Sequence, residues 1–107
     1  MLYSIGDVVK TYYFWFNEKT KQKDGIIRPA IVKDITGTNY IIVKITRSEK
    51  QGLLRVKVNS REWREMGLYD YSKDSFVDKN AVQLITEREI QRKIGDCPQC
   101  IFEKICY

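Results

Sequence analysis

The chain has 107 residues, a formal net charge of +5 and no histidine. This length suits one domain with one core, and no apolar run approaches the ~18 residues of a membrane span. Residues 1–10 lack the charged start and apolar stretch of a signal peptide, so we expect a cytoplasmic protein with no membrane partner. The lack of histidine removes the commonest general acid–base and the commonest metal ligand.

The first half of the chain predicts three strands. Residues 6–16 are rich in β-branched and aromatic side chains and predict a strand, and the polar residues 17–25 predict a loop. Residues 28–35 predict a second strand that begins near a proline. A turn at 36–39 leads to a third strand at 40–46, whose continuous apolar character predicts burial on both faces.

The second half of the chain mixes strands with a short helix. Residues 53–59 alternate apolar and basic side chains, which predicts a half-exposed strand. Residues 60–67 predict a short helix with Ser60 as its N-cap and a glycine past its end. Residues 74–78 and 81–85 predict the last strand pieces.

A longer helix is predicted over residues 85–95. Thr86 and Glu89 have the spacing of a capping box, and Ile90 and Ile94 would share one helix face. The elements together predict a mainly β fold, a small curved barrel with a short helix and a C-terminal helix. The barrel domain with its helix would span residues 1–96, and a cysteine-containing tail would span 97–107.

Positive charge is concentrated in two segments. Residues 18–28 carry a surplus of two positive charges and residues 44–65 a surplus of four, so the rest of the chain is slightly acidic. Basic segments that share a face are typical of proteins that bind a polyanion, most simply a nucleic acid. A mildly basic surface with no such partner remains the alternative.

The tail contains all three cysteines, in the sequence CPQCIFEKIC. Cys97 and Cys100 have the spacing of half a zinc site, but a structural site usually needs four ligands. A thiol pair that can oxidise, or cysteines without a role in the activity, are the other interpretations. We expect no metal and no cofactor in the activity.

Four stretches resemble a known family. They are GDVV at 6–9, GIIRPAIV at 25–32, VKIT at 43–46 and DSFVDKNAVQLITEREIQRKIG at 74–95. Together they resemble the PemK/MazF family, the toxin endoribonucleases of type II toxin–antitoxin systems. The resemblance implies an SH3-like barrel, a homodimer, and metal-independent cleavage of single-stranded RNA to 2′,3′-cyclic phosphate and 5′-hydroxyl ends. It also implies an antitoxin protein whose flexible segment occupies the RNA groove.

The resemblance implies three catalytic residues. Arg28 matches the arginine of the family's RPA motif, and its planar fork suits a phosphorane with extra negative charge. Thr46 matches a threonine at the end of the third strand, where its hydroxyl would bind the scissile phosphate. The family often has an acidic residue in the preceding loop, where this chain has Asp24 and Glu18; one of them, with Asp24 the chosen candidate, would take the proton of the 2′-hydroxyl or orient Arg28.

Further residues are expected to contact RNA. The sequence departs from the family's Thr-Ser or Thr-Thr pattern after Thr46, because an arginine follows; Ser48 could replace the missing hydroxyl. Aromatic residues beside the charged loop offer surfaces for base stacking. The expected RNA-binding residues are Trp15, Phe16, Glu18, Lys23, Arg47, Ser48 and Ser75.

Three alternative functions remain open. A non-catalytic SH3-like module would bind nucleic acid or protein through the same basic face, with strong salt dependence and no cleavage. A relative of the same fold would poison DNA gyrase through its C-terminal helix, which directs attention to IFEKICY at 101–107. A small zinc-assisted interaction protein built around CPQC is the third.

Overall fold

The computed structural model describes residues 2–46, 55–68 and 75–106. Within these residues, six antiparallel strands form one curled sheet in the order β4-β5-β3-β2-β1-β6, with two short helices and a 3₁₀ turn. The mainly β fold predicted from the sequence is confirmed. The elements are β1 (Asp7–Asn17), β2 (Gln22–Thr36), β3 (Asn39–Thr46), β4 (Arg55–Val58), α1 (Ser60–Glu65), β5 (Ser75–Thr86), the 3₁₀ turn (Glu87–Glu89), β6 (Ile90–Asp96) and α2 (Gln99–Cys106).

The hairpin of β1 and β2 is longer than the sequence predicts. The predicted loop at 17–25 is largely strand, because the ladder runs from Val8–Ile31 without interruption to Asn17–Gln22. Only residues 18–21 form the turn, which ends at Lys21 with a φ of 59°. The polar side chains of early β2 are tolerated because the hairpin extends beyond the core, where one or both faces meet solvent.

The helix predicted at 85–95 is wrong. Thr86 and Glu89 do form a capping box, but the box encloses only the 3₁₀ turn. The chain then continues as β6, which pairs with β1 and places Lys93 opposite Val9. Backbone pairing with an otherwise open strand edge outweighs the local helical pattern. The two predicted pieces at 74–78 and 81–85 are one continuous strand, β5.

The sheet buries apolar side chains on both of its faces. The inner core lies inside the curl and consists of Val9, Ala30, Val32, Tyr40, Ile42, Ile85 and Ile90. The helix-covered core lies on the other, outer face and consists of Val8, Ile31, Val43, Ile45, Val58, Met66, Leu68, Val77, Ile101 and Ile105. Neighbouring residues of one strand enter different cores because side chains alternate along a strand.

The two helices close the outer face. The predicted helix at 60–67 is confirmed as α1, although Asn59 rather than Ser60 is its N-cap and forms a capping box with Glu62. The cysteine-containing tail contributes Ile101 and Ile105 of α2 to the helix-covered core. Neither described helix has the length and apolar character needed to cross a membrane.

Two glycines let the end of α1 approach β6. Gly67 has a φ of +71°, and a Cβ atom there would lie 1.8 Å from the Ile94 carbonyl oxygen. At Gly95, a Cβ atom would lie 2.3 Å from the Met66 carbonyl carbon. Backbone therefore packs directly on backbone at this contact, and only glycine fits on either side.

A side chain helps to close the curl beside the hairpin. β1 pairs with β6 only as far as Thr11. Beyond Thr11, β6 does not cover this edge of β1. Gln83 of β5 occupies part of this edge: Phe14 N donates to Gln83 Oε1 at 3.0 Å, and Gln83 Nε2 donates to Phe14 O. The amide of Gln83 thus supplies one donor and one acceptor, as the backbone of a paired strand would.

Candidate functional site

The inner face becomes polar toward the hairpin end of the sheet. Arg28 follows the alternation of Ala30 and Val32, so it belongs to the inner face, where it is half-buried. The ladder of β2 and β3 pairs Ala30 with Lys44. The described pairing of β2 with β3 ends at this pair, and Arg28 and Thr46 lie two residues beyond it on their strands. The two residues predicted to act on one phosphate therefore lie on adjacent strands of the same face.

Arg28 is available to a ligand in this arrangement. Its backbone is held in β2 by pairing with Thr11 of β1, and Pro29 keeps the preceding residue extended. No hydrogen bond or ion pair formed within the described ranges 2–46, 55–68 and 75–106 involves its guanidinium. Thr46 is also half-buried and, unlike Arg28, has an interaction with another group.

Lys44, Tyr13 and Asp78 extend this polar face, and the sequence analysis did not assign them to the site. Lys44 Nζ lies over the Tyr13 ring, 4.9 Å from its centroid, so the lysine reaches across β2. Burial, and secondarily the nearby charge of Asp78, raises the pKa of Tyr13. Asp78 is buried and lies two residues from Phe76, the partner of Thr46 in β5. Alternation along β3 from Thr46 could have indicated Lys44.

The two predicted acidic residues lie away from Arg28. Asp24 occupies the same face of β2, but four residues of strand separate the two by about 13 Å. Its Oδ2 atom accepts a hydrogen bond from Asn17 Nδ2 at 2.7 Å, which holds the carboxylate at the hairpin tip. Glu18 lies in the exposed turn. The sequence could not reveal this separation because it indicated a loop at 17–25, which could have folded back.

The hairpin divides the remaining aromatic and basic candidates between two faces. Trp15 pairs with Asp24 on the inner face, whereas Phe16 pairs with Lys23 on the outer face. Both aromatic side chains are exposed. Lys23 Nζ lies 4.3 Å from the centroid of the Phe14 ring, a cation–π contact on the outer face.

Ser75 begins β5 and pairs with Val58 of β4. Its side chain is only 1% exposed, and the residue interacts with another group. Arg47 and Ser48 lie outside the described residues. Among the predicted candidates, Arg28 and Thr46 thus lie on the same face of adjacent strands.

Cys97 and Cys100 lie on the outer face of the sheet, beside α1 and opposite to the inner face that holds Arg28. None of the three cysteines forms a disulfide. Cys100 Sγ donates to Glu62 Oε2 at 2.9 Å, and this hydrogen bond raises the pKa of Cys100. Burial, together with the neighbouring thiols and Glu62, raises the pKa of Cys97 to about 12. Among the described residues, no group of three metal-ligating side chains is placed to hold a metal ion.

Comparison of the chain with protein-family models and with curated proteins finds no match. The function must therefore be argued from the residues themselves. Their arrangement is a basic inner face around Arg28, Lys44 and Thr46, bordered by an exposed aromatic hairpin.

Proposed function

We propose that the chain is a metal-independent endoribonuclease that cleaves single-stranded RNA, the toxin of a type II toxin–antitoxin system. The observation that supports the proposal is that Arg28, just beyond the Ala30–Lys44 pair, shares the inner face with Lys44 and has Thr46 on the adjacent strand. A fork-shaped cation beside a hydroxyl suits a phosphate that gains charge during the reaction. The resemblance to PemK/MazF toxins supports the same reaction.

The reaction needs no nucleophile from the protein. The 2′-hydroxyl of the RNA attacks the adjacent phosphorus, and the bond from phosphorus to the 5′-oxygen of the next nucleotide breaks. The products carry a 2′,3′-cyclic phosphate and a 5′-hydroxyl. Arg28 binds the non-bridging oxygens of the phosphorane, and Thr46 donates a hydrogen bond to the same group. Lys44 adds positive charge close by, which favours the charged transition state over the substrate.

Two protons must move during the reaction. The 2′-hydroxyl loses one, and the leaving 5′-oxygen gains one from water. Asp78 is the carboxylate that would accept the first, because it lies near Tyr13, whose ring lies under Lys44, whereas Asp24 is held at the hairpin tip.

The proposal includes two protein partners. A homodimer and a cognate antitoxin follow from the resemblance to the toxin family. The antitoxin segment would compete with RNA for the basic inner face, and acidic side chains on that segment would complement Arg28 and Lys44.

A cleavage assay on purified protein tests the activity. Mixed-sequence single-stranded RNA is incubated in EDTA with wild type, Arg28→Ala and Thr46→Val. Arg61→Ala is the matched control, because Arg61 is an exposed arginine of α1 whose loss removes the same charge. We expect cleavage by wild type and Arg61→Ala, at least a hundredfold less by Arg28→Ala, and about tenfold less by Thr46→Val. Mass spectrometry identifies the cyclic phosphate.

The outcomes separate the enzyme from a binding module. Equal cleavage by wild type and Arg28→Ala would indicate a contaminating nuclease or another site. RNA that is bound but never cut would favour the non-catalytic module, which the distance of Asp24 from Arg28 also suits. Thermal unfolding of each variant shows whether a lost activity reflects a lost fold.

A further inference from the structure

The outer face of the hairpin carries a row of aromatic side chains. Tyr12, Phe14 and Phe16 alternate with inward residues along β1 and therefore point to one side of the sheet. The rings of Tyr12 and Phe14 are nearly parallel, with an interplanar angle of 16° and centroids 6.0 Å apart. Tyr12 is 40% exposed and Phe16 is 62% exposed, so this aromatic row faces solvent rather than a core.

A glycine fixes the position of the central ring. Gly25 lies opposite Phe14 in the ladder, and a Cβ atom there would lie 2.8 Å from Phe14 Cδ1. The absence of a side chain at Gly25 therefore lets the Phe14 ring lie against the backbone of β2. The ring is held in place by the strand beneath it and by its neighbour Tyr12.

Two connected grooves follow the aromatic row. One has a volume of about 440 Å³ and is lined by Phe14, Phe16, Lys23 and Leu84 among others. The next has a volume of about 470 Å³ and includes Tyr12, Phe14 and Arg88. Both grooves are lined by Phe14 and Glu89, so they adjoin along the edge of β1, and the two together are called the channel.

The charges along this channel favour an anion. Lys23 lies over the Phe14 ring, and Arg88 lines the other end. The acidic side chain of the channel, Glu89, uses Oε1 to accept hydrogen bonds from Thr86 N and Thr86 Oγ1, at 2.9 and 3.0 Å. Its charge is therefore partly satisfied by the capping box, whereas the two cations remain at the channel surface.

We propose that this channel binds single-stranded RNA, with bases stacked on Tyr12, Phe14 and Phe16 and phosphates near Lys23 and Arg88. Alternate side chains of a strand are about 7 Å apart, which spaces the rings for successive bases of an extended strand. Trp15 lines the channel and also pairs with Asp24 of the inner face, so one RNA strand can pass around the hairpin toward Arg28. The choice of RNA rests on the proposed function.

Binding of RNA that cannot be cleaved tests this channel separately from catalysis. The probe is a fluorescent single-stranded RNA of mixed sequence, about twelve nucleotides long and 2′-O-methylated, and anisotropy gives its Kd. The test variant is Tyr12→Leu with Phe16→Leu, because both residues are exposed and leucine keeps their apolar character. We expect its Kd to rise about tenfold or more, since each lost stacking contact weakens binding.

A matched control carries the same type of substitution elsewhere. Tyr3→Leu removes a ring that packs edge-on against Tyr40 and does not line the channel. Its Kd should stay within about twofold of wild type, a difference small beside that of one lost stacking contact. Lys23→Gln should reduce the slope of log Kd against log salt by about 0.7, as expected for one lost phosphate contact to a single strand.

Several results would overturn the channel assignment. Undetectable binding by wild type would do so, as would an unchanged Kd in a double variant that unfolds at the wild-type temperature. If ultracentrifugation instead shows self-association that only the double variant loses, the surface binds a second copy rather than RNA. Arg28-dependent cleavage with an unchanged Kd would keep the proposed function and reject the channel. Stacking-dependent binding without cleavage would keep the channel and reject the enzyme.

Discussion

The two ends of the outer face differ, although the same strands build both. Near the helices, Val8 and Ile31 are fully buried under α1, α2 and β4. Toward the hairpin, β1 and β2 place Tyr12, Phe16 and Ile27 on the same face, where each remains exposed. Alternation along a strand decides which face a side chain occupies, but covering elements decide whether that face becomes a core or a surface. The covered end holds the fold together, and the open end is available for binding.

The largest expected effect is a loss of stability at the covered end, where the backbone after α1 packs on β6. In Gly67→Ala, the new Cβ atom meets the Ile94 carbonyl, and the φ of +71° strains any other residue. Strain and overlap together should lower the free energy of unfolding by about 4 kcal/mol. Chemical denaturation measures this change.

Gly37→Ala provides the matched control for the Gly67 prediction. Gly37 has a similar φ of +59° but nothing within 4 Å of a Cβ atom, so only the backbone strain remains. We expect a loss of about 1 kcal/mol there. Equal losses in the two variants would contradict the close approach of α1 and β6.

A second pair of variants compares the two ends directly. Ile101→Ala empties a fully buried site under α2 and should cost about 3 kcal/mol of stability. Leu84→Ala truncates a side chain of similar size that is 59% exposed beside the hairpin, and should cost under about 1 kcal/mol. Thermal and urea unfolding give both values. Similar losses would show that α2 does not seal the core, or that the hairpin surface is covered.

The smallest effect concerns reactivity rather than stability. Because the pKa of Cys97 is raised to about 12, its labelling by iodoacetamide should still rise about tenfold per pH unit between pH 8 and 10. Burial favours the neutral form of the Cys97 thiol, so the thiol contributes to the stability of the folded state only while it is neutral. This contribution is fully present below pH 9 and is lost as the pH rises toward 12. Peptide mass spectrometry follows labelling at each pH.

Urea-unfolded protein is the control for the Cys97 measurement. There the labelling rate of Cys97 should level off near its ordinary pKa of about 9. A folded protein with the same profile would show that the thiol is not buried. The exposed thiol of Cys106 should be labelled before Cys97 at neutral pH, because reagent reaches it without displacing packed side chains.

Local sequence patterns predicted most strands but failed where a distant strand decided the outcome. The capping box of Thr86 and Glu89 forms as predicted, yet pairing of β6 with β1 prevents a helix after it. Ile90 and Ile94 would share one helix face, whereas in β6 they pack against different cores. In the tail, Ile101 and Ile105 have the four-residue spacing of one helix face, and both are buried in α2.

For the candidate site, the sequence indicated individual residues but not their arrangement in space. The sequence indicated Arg28 and Thr46 as candidates, and the pairing of β2 with β3 puts them on the same face of adjacent strands. In the observed register, Asp24 lies near the hairpin tip, and the side chain of Lys44 lies over the Tyr13 ring. Such relations depend on pairing between strands and on the length of the hairpin, which the side chains of one segment do not specify.

The amide of Gln83 has a consequence for association between molecules. A strand edge with free N–H and C=O groups is a template on which another chain can add a strand and begin a cross-β aggregate. The exposed aromatic segment of β1 would be a strong template, because its rings favour such stacking. By occupying Phe14 N and Phe14 O, Gln83 blocks the middle of that edge and leaves the rings exposed. The molecule therefore displays these rings while part of the backbone edge on which a fibril would grow is already hydrogen-bonded.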